Sequence, residues 1–101
     1  MGGAPKDTSD PLYDILMTQR AEGSFERSAA LDAWLGPERA VRLTREAASS
    51  DERIVVTATV ILLLEKEHSA REGEWRAAVN KAKAWLAREA SVFDASVVVG
   101  R

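Results

Sequence analysis

His68 is the only histidine of the chain, and with Glu65 and Glu72 it falls at i, i+3 and i+7 of a possible helical face, where an imidazole and two carboxylates could share a metal ion. Helical di-iron sites need two such Glu-x-x-His pairs and two further carboxylates. This chain has one pair beside an expected turn, so the trio reads as a solvated charged helix end. Cysteine is absent, which removes thiol catalysis, thiolate ligands and disulfides together. Ser24 has no second histidine or any cysteine to act with, and Gly2-Gly3 lie at an end of the chain, not in a phosphate-cradling loop. General acid–base work needs titratable groups withdrawn from water in a cleft, and nearly every carboxylate here falls on an expected solvent face. The residues therefore predict no catalytic site, no metal and no cofactor.

The elements that would position such residues are bounded by length and composition. A chain of 101 residues suits one domain, and 46% apolar with 30% charged residues is ordinary for a folded globule. The net charge of -2 divides into -2 for residues 1–50 and 0 for the remainder, so neither half is a basic arm and nucleic acid is a disfavoured partner. The longest apolar run, Ile54 to Leu64, is far short of the ~20 residues that cross a bilayer. No apolar leader precedes Lys6, and a chain without cysteine suits a reducing, cytoplasmic setting.

Periodicity predicts an all-α bundle of about five helices over residues 10–90, with a flexible tether at 1–9 and a short apolar tail at 91–101. Asp10-Pro11 is a helix start, and Leu12, Ile15, Leu16 and Gln19 share one stripe of a helix closed by Gly23. Ser28 caps a second helix carrying Leu31, Trp34 and Leu35, and Gly36-Pro37 breaks it and starts a third. Along that third helix Ala40, Leu43 and Ala47 face inward, with Arg39, Arg42 and Arg45 outside. The stretch from Asp51 to His68 opens with β-branched residues that would suit a strand. It continues without turn residues into Leu62-Leu63-Leu64-Glu65, and no comparable strand exists to pair with it. It reads as a central helix, apolar nearly all round. The last helix, from about Glu72 to Ala90, carries Trp75, Ala78, Val79, Ala82, Trp85 and Leu86 at helical spacing.

Trp, Tyr and Arg dominate binding hot spots, but at helical spacing Trp75 and Trp85 read as core, leaving Trp34, on its short helix, as the candidate contact. Arg39 and Arg42 are further candidates. So are Val92, Phe93, Val97, Val98 and Val99 of the tail, which fit a strand, a packed strap or a free binding peptide.

The most specific segment is Gln19-Arg20-Ala21-Glu22-Gly23-Ser24-Phe25, followed by Leu31 and Leu35-Gly36. A Gln in the last helical turn, a glycine turn and an aromatic fit a local lock, in which the amide ties the turn backbone and the ring covers the helix end. From about Leu12 to Arg88 the chain resembles the carboxyl-terminal domain of proteins that combine a vault-inter-α-trypsin domain with a von Willebrand factor A domain. It is similar to the major-vault-protein-interacting ends of vault poly(ADP-ribose) polymerases. The likeness covers the Gln and Gly-Ser-aromatic turn, the Leu31 to Gly36 pattern, the apolar helix Ile54 to Glu67 and the helix from Trp75 to Trp85, although Phe25 stands where Trp is usual. The glycine-turn element also resembles the repeat of terpene cyclases, but one copy cannot build that barrel. The resemblance implies a non-catalytic docking module that attaches its parent protein to a larger cytoplasmic assembly such as a vault-like shell. Alternatives are an intramolecular or homo-oligomeric packing module and, more distantly, a nucleic-acid binder using Arg39, Arg42, Arg45 and the basic side of the last helix.

Overall fold

The computed structural model describes residues 10–89 and 93–100. The expected tether at 1–9 and Val92 of the tail lie outside the described residues. Among those described there are six α-helices, one 3₁₀ turn and no strand, as an all-α bundle requires. Five helices match the expected ones, and the sixth lies in the tail.

Asp10 caps α1, Pro11–Leu16, its Oδ1 accepting from the Leu12 N–H at 3.1 Å, and Pro11 takes the position where no amide is needed. The helix is shorter than expected. The Thr18 hydroxyl donates to the Ile15 carbonyl at 2.6 Å, and the Gln19 amide turns to Leu16 at 3.3 Å, so the i to i−4 ladder ends before Gln19. Gln19 therefore stands in the connection after α1, not in its last turn, and Gly23 does not directly follow the helix.

Ser28 caps α2, Ala29–Leu35, with its Oγ accepting from the Leu31 amide at 3.1 Å. Gly36, at φ +89°, turns the chain into α3, Pro37–Ala47, a conformation that a side chain would oppose. Asp51 caps α4, Glu52–Glu67, through the Arg53 amide. Of the 16 residues of α4, eight are buried: Val55, Val56, Thr57, Thr59, Val60, Ile61, Leu63 and Leu64. Packing on every side thus overrides the strand preference of the β-branched run. A 3₁₀ turn, Ser69–Arg71, leads to α5, Glu72–Arg88, and the chain closes with α6, Ser96–Val99.

The central α4 packs on α3, α5 and α6, while α2 joins α1 to α3. Phe93 packs against the core and Val98 and Val99 belong to it, so residues 93–100 share one core with residues 10–89. Of the three tail conformations the sequence left open, the structure has a packed strap in helical form. It also changes the reading of the α3 arginines. Arg39 and Arg42 were expected to face outward, but both fold over α6 and bond its backbone, because helix-terminal carbonyls without partners sit within their reach.

Arg71 ties the start of the bundle to its end, donating to both carboxylate oxygens of Asp10 and in bidentate fashion to Glu74. The guanidinium holds both carboxyls below the ordinary range near about 4. A depressed folded value means that the stabilisation is present above the unfolded pKa and is lost as pH falls through the folded one. The thermal midpoint is accordingly expected to stay level above pH ~5 and to fall below pH ~4. The fall should be shallower in Arg71→Ala; equal slopes in the two chains would disprove the assignment.

Candidate functional site

Three constellations are candidates for function. The first is the connection from Gln19 to Phe25. The Gln19 side-chain amide donates one N–H to the Gly23 carbonyl at 2.9 Å and the other to the Ala78 carbonyl of α5 at 2.8 Å. The amide ties the turn backbone as expected, and it also reaches a helix that the sequence reading had not assigned to the lock. Arg20 N–H bonds the Ser24 carbonyl at 2.8 Å and the buried Ser24 hydroxyl donates to Glu22 at 2.6 Å. That hydroxyl is the first cause holding the Glu22 carboxyl below its ordinary range, with Arg20 and Arg53 adding to it. The Phe25 ring is wholly buried, and its amide donates to Thr57 Oγ1 on α4 at 2.9 Å. These bonds tie the connection after α1 to α4 and α5.

Gln19→Ala removes both amide bonds and leaves two carbonyls without their donor. It is expected to lower stability by about 1–3 kcal/mol, read as a lower denaturation midpoint in urea at unchanged slope. A midpoint equal to wild type would show that the lock is not structural.

The second constellation is the α1–α2 face. Pro11 and Asp14 of α1 with Ala30, Ala33 and Trp34 of α2 line an open groove of about 310 Å³. Half-buried Trp34 forms one wall, its ring tilted 31° to the His68 ring at 5.5 Å between centroids. Tyr13 on α1 and Met17 just past its end are 58% and 65% exposed. Neither was singled out in the sequence reading. The signal was present, since both fall off the buried stripe of Leu12 and Ile15, yet a tyrosine and a methionine on a first helix are easily assigned to the core.

The third is the α3–α4 cleft that holds α6. Arg42 Nε donates to the Val98 carbonyl at 2.9 Å, Arg39 Nε to the Val99 carbonyl at 3.0 Å and Lys66 Nζ to the Gly100 carbonyl at 2.6 Å. Arg39 also pairs with Glu67 at 2.6 Å, which keeps that carboxyl below its ordinary range. Lys66 is a contributor the sequence reading missed.

Leu31 and Leu35 are buried, and Gly36 makes the turn between α2 and α3. Trp75 is buried, with its indole N–H on the His68 carbonyl at 2.8 Å, and Trp85 is buried beneath the Arg53 guanidinium, 5.4 Å from the ring centroid. Phe93 is half-buried and Val97 partly exposed. The helical face of Glu65, His68 and Glu72 does not form, because α4 ends at Glu67. Glu65 pairs with Lys83 and Glu72 with Arg76. Among the described residues no three His, Asp or Glu side chains converge to hold a metal, and no helix is long and apolar enough to cross a membrane.

The chain matches no protein-family model, no curated protein and no solved structure.

Proposed function

We propose that this domain is a non-catalytic docking module that binds another protein through its α1–α2 face. The observation that carries the reading is the exposure of Tyr13 and Met17 at α1, the helix whose Pro11 and Asp14 line the Trp34 groove, where aromatic and thioether side chains of the kind enriched at interface centres stand in solvent. The carboxyls that depart from ordinary behaviour support a binding role over catalysis. Asp10, Glu22, Glu67 and Glu74 all shift downward and stay ionised, the opposite of what a general acid near neutral pH needs. The commitment of Arg39 and Arg42 to α6 counts against phosphate binding by that face. The resemblance of residues 12–88 to vault-interacting ends supports a large cytoplasmic assembly as the partner.

Affinity capture from a lysate with the wild-type domain and with Met17→Asp, each checked for its thermal midpoint, tests the reading. Capture lost at unchanged midpoint is expected. Capture retained by Met17→Asp overturns the assignment of this face. Light scattering separates the homo-oligomeric alternative, in which the wild type is a stable dimer and Met17→Asp a monomer.

A further inference from the structure

We infer that the α3–α4 cleft is a peptide-binding site, occupied in cis by residues 94–100 of the same chain, and that it accepts in trans a partner segment made of paired β-branched residues at the end of a helical turn. This goes beyond docking through α1 and α2 and does not depend on it. The occupant in cis, α6, is a single helical turn. Four residues, three of them valine, are too few and too poorly suited to hold a helix in water, where isolated helices below about 12 residues are marginal. The helical form of this segment is therefore imposed by the surface that receives it, as with a peptide that folds on binding.

What the cleft reads is specific. Val98 and Val99 are 0% and 3% exposed while Val97 between Ser96 and Val98 remains 39% exposed, so two adjacent apolar side chains enter and their neighbour does not. Three cations from two helices then take three successive carbonyls, Val98 by Arg42, Val99 by Arg39 and Gly100 by Lys66. These carbonyls end a helix, lack partners within it and carry its negative dipole end, to which cations are complementary. All three bonds go to backbone oxygen, so this part of the recognition is indifferent to side-chain identity and sensitive to shape. Gly100, at φ +101°, lets the chain leave the turn beside Arg42. The occupant is accordingly a short turn with two β-branched side chains, a following glycine and no acidic side chain needed.

The other end of the segment carries its own fastening. Asp94 Oδ1 accepts from the Ser96 amide at 3.0 Å and from the Ser96 hydroxyl at 2.6 Å, which pre-shapes the turn before it meets the cleft. Being part of the same chain, the segment competes with a free peptide of the same sequence as an intramolecular ligand.

The test uses the full chain and a fluorescent, amidated peptide of residues 93–100, followed by anisotropy. Val98→Asp with Val99→Asp expels the cis occupant and is expected to bind the peptide at least about tenfold more tightly than the wild type, the gain that removal of a tethered competitor gives. Adding Arg39→Ala and Arg42→Ala should abolish that gain. A release variant that retains its helical circular dichroism and binds no better than wild type overturns the proposal. Hydrogen exchange on the unmodified chain tests it without any variant. The Val98, Val99 and Gly100 amides are expected to exchange at least about 100-fold faster than those of Val60 and Leu64, because the segment opens on its own. Equal protection of the two sets would mean that α6 is inseparable core, and would equally overturn the proposal.

Discussion

Gly23→Val is expected to be among the most destabilising substitutions in the chain. Gly23 holds φ +116°, a conformation costing a side chain about 1–3 kcal/mol. A Cβ there would also lie 2.6 Å from the Lys81 carbonyl oxygen and 3.0 Å from its carbon, atoms of the α5 backbone that cannot rotate away. Overpacking of this kind adds about 1–3 kcal/mol, so the combined cost of about 2–6 is a large share of what a domain of this size has. The thermal midpoint should fall by more than about 8 °C. Gly36→Ala provides the comparison. Its φ is also positive, at +89°, but nothing lies within 4 Å of the new Cβ, so only the backbone term applies and the loss should be roughly 1–3 kcal/mol. Equal midpoints for Gly23→Val and wild type would show that the connection is not seated on α5.

Phe25→Ala is expected to cost about 3–5 kcal/mol, the range for removing a buried aromatic ring. Phe25 is 0% exposed and the largest wholly buried side chain among the described residues. Its neighbour in effect is Thr57, whose hydroxyl holds the Phe25 amide and meets its carbonyl at 3.5 Å. Thr57→Val keeps the volume and strands that amide, so it should cost about 1–3 kcal/mol. Chemical denaturation of both variants checks the order; a Thr57→Val loss exceeding that of Phe25→Ala would place the weight on the hydrogen bond, not the ring.

The architecture was legible where local chemistry decides it. Ser28 and Asp51 cap the helices their types announce, and Gly36-Pro37 separates α2 from α3 at the expected bond. The central helix was legible despite its β-branched run because no partner strand existed to compete for it. The length of α1 was not, since a threonine hydroxyl at Thr18 diverts one carbonyl and no pattern of apolar spacing records that. Nor was α6, a four-residue helix too short for any apolar periodicity to announce. The side chains of Arg39 and Arg42 fit an outward face in sequence. Their inward turn depends on carbonyls 56 and 60 residues further on. The exposed pair of Tyr13 and Met17 was missed for the reverse reason, since residues of those types are usually buried and exposure had to be read from three dimensions.

The reach of the Gln19 amide to Ala78, 59 residues later, also governs how the chain acquires its structure during synthesis. Ribosomes deliver roughly 5–20 residues per second, so α1 and the glycine connection emerge seconds before the helix on which they seat. Through that interval the Gln19 amide lacks its Ala78 acceptor. Contacts of such sequence separation are costly to close early, whereas α4 and α5 are joined by a short turn and can pair as soon as both exist. A nascent-chain binder that shields apolar stretches would engage residues 12–25 and release them once α5 has cleared the exit tunnel.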